Sequence, residues 1–390
     1  MKVAQQHSTL AQLVCSECGQ AVSIFEPQTF SPCCQQPLVA MYDLPQNLSP
    51  AILQQRVSTM WRYAEWLPVM DPENIVSLGE GMTPVIYPKR LTEKYELPNF
   101  FIKDESGNPT GSFKARGISV AVSKAKEFGF EGCIVPTAGN AGGAMAAYCA
   151  AAGMKAVVVM PSHTPDVFKE ECRLFGAELV LVDGLISDCA KRVAQLKQTL
   201  PWFDISTMKE PFRLEGKKTM GYEIAEQFDF ELPDVILYPT GGGTGLIGMW
   251  KAFAEMETMG WIGSKRPRMI AVQAANCQPV VERFYGKINS VKEYTGQSSL
   301  ANGLAVPHPF AEKMILRVLR ESGGMPVAVT DAAMIAAVKL IAKEEGLLIA
   351  PEGAGLWVAL QQLLDQGLVQ RDEKILMLNT GSGYKYLQNL

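Results

Sequence analysis

The strongest constraint on this chain is the run DVILYPTGGGTGLIGMW at residues 234–250. Residues 234–239 form a short apolar segment of the kind that becomes a fully buried strand. Gly241, Gly242, Gly243 and Gly245 follow at once, and a helical pattern then runs over 244–259. A strand that enters a helix through so tight a turn belongs to a parallel sheet covered by helices. The same alternation recurs along the chain. Strands are expected at 133–137 (CIVPT), 155–160 (KAVVVM), 178–182, 268–273 and 374–378 (KILML). Helices are expected over 140–152, 166–175, 187–199, 216–228, 331–345 and 353–364, with a surface loop at 286–303. The fold class is therefore α/β, built on parallel sheets.

Composition matters where other classes must be excluded. Apolar residues make up 47% of the 390 and charged ones 19%, which rules out a disordered chain. A net charge of −4 argues against a broad basic face for nucleic acid. Residues 133–154 are uncharged and long enough to span a bilayer, but they include Pro136, Asn140, Gly139, Gly142, Gly143 and Gly153. That content reads as strand, loop and small-residue helix, so no membrane insertion is expected. The start, MKVAQQHSTLAQLVC, lacks the apolar core of a signal peptide. Nine cysteines without an export signal point to a reducing compartment, and the expected location is the cytoplasm.

The glycine turn suits a phosphate dianion, because its amides converge and the helix adds the positive end of its dipole. No Lys-Ser/Thr follows the glycines, so a Walker loop is absent; Gly216-Lys217-Lys218-Thr219 has Pro211 where the first glycine should be. Residues 243–248 match the dinucleotide pattern G-x-G-x-x-G, yet no Asp or Glu lies between Glu257 and Glu282 to hold a ribose. A tight turn without a ligand is the plain alternative.

Three further segments carry chemistry. In 108–117 (NPTGSFKARG), Lys114 falls in the first turn of a helix expected to begin near Ser112. A cation there opposes the helix dipole, a cost that disappears if the amine is held as an imine; an exposed lysine is the other reading. In 136–143 (PTAGNAGG), the amides of Thr137, Ala138 and Gly139 can bind a carboxylate. Asn140 can donate to a phenolate-like oxygen or simply cap a helix. Asn379-Thr380-Gly381-Ser382-Gly383 follows the last strand, where ligands of open sheets sit. The three histidines, His7, His163 and His308, fit no triad or metalloprotease pattern, which leaves acid–base work to lysine.

The N-terminal residues 1–48 read as a separate ribbon-like module. Cys15 and Cys18 form one C-x-x-C knuckle, but Ser31 stands where the second knuckle's first thiol belongs, and Cys33 and Cys34 are adjacent. Zinc on these four cysteines and a metal-free ribbon both remain open.

Taken together, the motifs resemble pyridoxal-phosphate (PLP) enzymes of the tryptophan-synthase-β group, fold type II. In that group a lysine in S-F-K-x-R-G bonds the cofactor's aldehyde, and an asparagine in S/T-x-G-N faces the ring oxygen. A glycine-rich loop holds the phosphate, and a late Ser, Thr or Cys meets the pyridine nitrogen. The resemblance implies these roles for Lys114, for Asn140, for Gly241, Gly242, Gly243, Thr244 and Gly245, and for Thr380. The four motifs occur in the family's order over roughly residues 75–390. Within the group, SLGEGMTP at 77–84 resembles the L-G-E-G-x-T-P of threonine synthases, many of which carry a cysteine-bearing ribbon. Ala115 departs from the usual aspartate of that family. Ala138 and Ala141 make the asparagine loop partly similar to that of threonine dehydratases.

What the resemblance implies can be stated as expectations. Two three-layer parallel-sheet domains should follow the ribbon module: a larger one (49–105 and 201–390) and a smaller, mobile one (106–200), with the cofactor in the cleft between them. The expected reaction turns O-phospho-L-homoserine and water into L-threonine and phosphate, in a homodimer. Thr83, Thr137, Ala138, Gly139 and Ser162 are expected to meet the substrate, with Lys217 and Arg116 as further candidates for its phosphate. The alternatives are a serine/threonine dehydratase, a Cβ-replacement enzyme such as a cysteate or cysteine synthase, and a regulatory scaffold on an inactive enzyme body.

Overall fold

The computed structural model describes residues 8–46 and 48–390; residues 1–7, among them His7, and Asn47 lie outside the described residues. The chain falls into two compact units. The first comprises Met1–Met82, Asn108–Thr110 and Lys114–Thr219, and the second Thr83–Gly107, Gly111–Phe113 and Met220–Leu390.

The first unit holds two sheets. A small antiparallel one has the order Ala21–Val22, Leu10–Cys15, Leu38–Tyr42, which is the ribbon expected for the N-terminus. The other is all-parallel, with the order Glu178–Val182, Lys155–Pro161, Gly132–Pro136, Phe203–Asp204. Ile134, Val157 and Val159 bury one face of it against Cys189 and Val193 of the helix Ile186–Leu196. The uncharged stretch resolves into the strand Gly132–Pro136 and the helix Asn140–Ala151. Among the described residues no helix is long and apolar enough to cross a membrane.

The second unit holds a six-stranded sheet, ordered Met325–Val329, Arg268–Ala274, Val235–Pro239, Ile375–Asn379, Phe100–Asp104, Val85–Ile86. All pairings are parallel except the last, where a two-residue edge strand runs antiparallel to Phe100–Asp104. Such an edge on an otherwise parallel sheet is common. Leu237, Val272, Ile375 and Met377 pack beneath Trp357 and Leu360 of the helix Pro351–Asp365 and Ile341 of Asp331–Glu345. The strand at the opposite edge escaped the sequence pattern because Pro326 sits inside it; an edge position tolerates the missing donor.

Within the first unit, residues 49–82 and 201–219 join the four-stranded sheet. A close approach holds the latter at Gly216, where a Cβ would come within 2.1 Å of the Arg116 carbonyl oxygen. Arg116 also donates to the Thr219 hydroxyl at 3.0 Å, so the start of the helix Phe212–Gln227 is locked to the helix Lys114–Glu127.

Candidate active site

In the second unit, the parallel strands Phe100–Asp104, Ile375–Asn379 and Val235–Pro239 lie side by side. Their carboxyl ends therefore gather the loops 105–107, 380–382 and 240–245 at one sheet edge. The helix Thr244–Thr258 begins there with Gly243 as its N-cap, at φ +77° and with no side chain capping the amides. The helix Asp331–Glu345, by contrast, is capped by the Thr330 hydroxyl. Uncapped amides with the dipole behind them form an anion site.

The glycines of this turn are required by space. A Cβ at Gly241 would approach the Gly303 carbonyl oxygen to 2.3 Å, and one at Gly245 the Tyr238 hydroxyl to 2.0 Å. Burial pushes that phenol well above its ordinary range. Gly241→Ala must therefore displace backbone, and we expect PLP to bind at least about tenfold more weakly, as read by equilibrium dialysis.

The same edge anchors the peptide ahead of Lys114. Ser112 bridges Gly381 in antiparallel fashion, Phe113 N–H donates to the Thr380 carbonyl at 3.1 Å, and Ser382 N–H to the Gly111 carbonyl at 2.9 Å. Because Ser112 is committed to that bridge, the helix begins at Lys114 rather than near Ser112 as expected. Lys114 is half-buried and opens its helix. The Ser112 hydroxyl is buried and has no hydrogen-bond partner among the described residues. Sequence reasoning quoted this serine without giving it a role.

Thr83 is held in the second unit from several sides. Its hydroxyl donates to Glu105 Oε1 at 2.6 Å. Its carbonyl accepts from Lys103 Nζ at 3.0 Å and from Gln227 Nε2 at 2.8 Å. Lys103 is fully buried and pairs with the equally buried Glu223 at 3.1 Å.

In the first unit, Asn140 is the first residue of its helix, while Gly139 serves as an N-cap without a side-chain hydrogen bond. The Thr137 hydroxyl accepts the Gly139 N–H at 3.2 Å, which folds the T-A-G-N loop back on itself. Ala138 stands half-exposed between them. Ser162 follows the strand Lys155–Pro161 and donates its hydroxyl to Asp183 at 2.6 Å.

The helices that open with Lys114 and Asn140 are tied together by Glu80, a residue given no role in the sequence reading. Its fully buried carboxylate accepts from Trp61 Nε1 at 2.8 Å and from the Leu78 N–H at 2.9 Å. It also accepts from Ser119 Oγ at 2.6 Å and from the Tyr148 hydroxyl at 2.5 Å. Ser119 lies on the Lys114 helix and Tyr148 on the Asn140 helix. Burial and the facing carboxylate push the Tyr148 phenol far above its usual range. An acid flanked by glycines inside an apolar stretch was the available signal.

These donors fit PLP. The uncapped glycine turn is suited to a phosphate, and Lys114 opens a helix two residues beyond the buried Ser112 hydroxyl.

Comparison with known proteins agrees. A family model described as pyridoxal-phosphate dependent enzyme matches residues 76–381. The threonine synthase of Methanocaldococcus jannaschii is 33% identical over 375 residues, covering 95% of this chain and 92% of that one. The threonine synthase of a Synechocystis species is 32% identical over 341 residues, covering 86% of each. Among solved structures, maize serine racemase superposes with a TM-score of 0.65 at 21% identity, covering 79% of this chain and 93% of that one. The processed threonine deaminase isoform 2 of Solanum lycopersicum gives 0.67 at 19% identity, covering 89% and 98%. At such identity these two likenesses establish the fold alone. The family model and the relatives that exceed 30% identity over nearly the whole length go further: the chain belongs to the pyridoxal-phosphate dependent enzymes and, within them, to the threonine synthase family.

Proposed function

We propose that this protein is a PLP-dependent lyase that converts O-phospho-L-homoserine and water into L-threonine and phosphate. The observation that carries the reading is the uncapped glycine turn at the sheet edge where Thr380 and the Lys114 tether also lie, in a chain of this family.

PLP, when bound, supplies an electron sink for negative charge developing at the substrate's Cα. The amides of residues 241–245 would hold its phosphate, with Thr244 at the first helical position. Lys114 Nζ would bind its aldehyde and, when free, would serve as the base that takes the proton from the substrate's Cα. The Asn140 side-chain amide would donate to the ring oxygen, and Thr380 would offer a neutral hydroxyl to the ring nitrogen. The Thr137, Ala138 and Gly139 segment would receive the substrate carboxylate, the Thr137 and Gly139 amides only on releasing their present acceptors, the Val159 carbonyl and the Thr137 hydroxyl. Thr83 and Ser162 remain candidates for the substrate phosphate, and each would have to release its present carboxylate acceptor. We also propose, from the family resemblance, a homodimer working in the cytoplasm.

The test is an assay of phosphate release from O-phosphohomoserine beside oxoacid release from L-threonine and L-serine. The expected result is threonine and phosphate in equal amounts, with oxoacid formed about 100-fold more slowly or less. Rapid oxoacid formation without phosphate release would instead make the protein a dehydratase, the activity that Ala138 and Ala141 hint at.

A further inference from the structure

The chemistry above leaves the four N-terminal cysteines without a task. Their Sγ atoms all lie within 4.8 Å of one another, with Cys18 and Cys33 at 3.4 Å. Zinc–thiolate bonds of about 2.3 Å place the sulfurs of a tetrahedron about 3.8 Å apart, so this cluster stands within about 1 Å of closing on an ion.

Two matching turns build it. In the first, Cys15 N–H donates to the Gln20 carbonyl and Gly19 N–H to the Cys15 carbonyl, both at 2.9 Å, with Gly19 at φ +75°. In the second, Ser31 N–H donates to the Gln36 carbonyl at 2.8 Å and Gln35 N–H to the Ser31 carbonyl at 3.0 Å, with Gln35 at φ +54°. The offsets are the same. Ser31 therefore occupies the place of Cys15, and Cys34 the place of Cys18. Ser31 is wholly buried, and its hydroxyl accepts the Gln36 N–H at 3.1 Å. Adjacent side chains usually diverge, yet the thiols of Cys33 and Cys34 both enter the cluster.

We propose that Cys15, Cys18, Cys33 and Cys34 form a structural tetrathiolate site for zinc, in which Cys33 supplies the ligand that the turn's symmetry assigns to Ser31. Four thiolates select a soft, tetrahedral ion and leave no position open for catalysis. The module has reason to need one. Among the described residues its buried apolar side chains are Leu10, Leu13, Leu38, Ala40 and Tyr42, beside the thiol of Cys15, a small core with which to order a ribbon by burial alone. Tyr42 lies under Lys218 Nζ at 4.0 Å, and Lys218 pairs with Glu215 at 2.7 Å, next to Gly216 and its contact with Arg116. The metal would thus brace a hairpin resting on the helix that packs against the Lys114 helix.

The test uses the full-length holoenzyme, purified in reductant and assayed for metal by mass spectrometry. About one zinc per chain is expected, and cobalt exchanged for it should show the intense visible bands of a tetrahedral thiolate site. Cys33→Ser should lose more than about nine-tenths of the metal, while Cys277→Ala keeps it. The double variant Ser31→Cys with Cys33→Ser should recover the metal, which separates a lost ligand from a misfolded module. Zinc below about a tenth per chain in the reduced, zinc-supplied protein, or a Cys18–Cys33 disulfide persisting in reductant, would overturn the site. Full metal retention in Cys33→Ser, or no recovery in the double variant, would overturn the role given to Cys33.

Discussion

Lys114→Ala is expected to abolish turnover of O-phosphohomoserine, by at least about 10³-fold, and to remove the absorbance of a lysine-bound cofactor. In the proposed mechanism one nitrogen both holds the cofactor and moves the Cα proton, so its loss would remove two functions at once. The fold should survive, because the side chain is only half-buried and the residue begins a helix rather than packing inside it. The phosphate turn is untouched, so PLP should still bind, now as the free aldehyde. Borohydride reduction followed by peptide mass spectrometry should place the cofactor on the Lys114 peptide of the parent protein and on no peptide of the variant. A variant that stays yellow and active would move the chemistry to another residue.

Glu80→Gln is expected to cost about 2–4 kcal/mol of stability and to depress activity even in the fraction that stays folded. Four donors converge on this one buried carboxylate. A carboxamide accepts at one end only, so the donors at the other end meet an NH₂ group. The affected donors include Ser119 or Tyr148, which belong to the helices that start at Lys114 and Asn140. Loosening either helix misplaces a residue that must be held to a fraction of an ångström. Thermal inactivation and kcat measured on the same preparation check both effects. A drop in stability with kcat unchanged would reduce Glu80 to a packing residue.

Much of this was legible in the sequence because glycine and lysine chemistry is local. A strand that meets a helix at close quarters favours glycine in the turn, and the structure shows the clashes that enforce it at Gly241, Gly243 and Gly245. The strand Val235–Pro239 and the helix Asp331–Glu345 likewise matched their apolar patterns. Features that depend on distant partners were hidden. Ser112 looked like a helix start, but a bridge to Gly381 claims it. Nothing near Thr83 in the sequence signals that its hydroxyl donates to Glu105. For Cys33 and Cys34 to share a site an unusual turn is needed, and only the structure shows the one around Gln35 that brings both thiols inward. The contact of Gly216 with Arg116 likewise has no signature in either segment alone.

The bridge between Ser112 and Gly381 also bears on how the protein is made. On the ribosome, the peptide leading into Lys114 emerges about 270 residues ahead of its docking partner. That tether therefore cannot form until the later segment has been made and folded beside it. A chain stopped short of Gly381 would lack the tether, and with it the seat we propose for the vitamin.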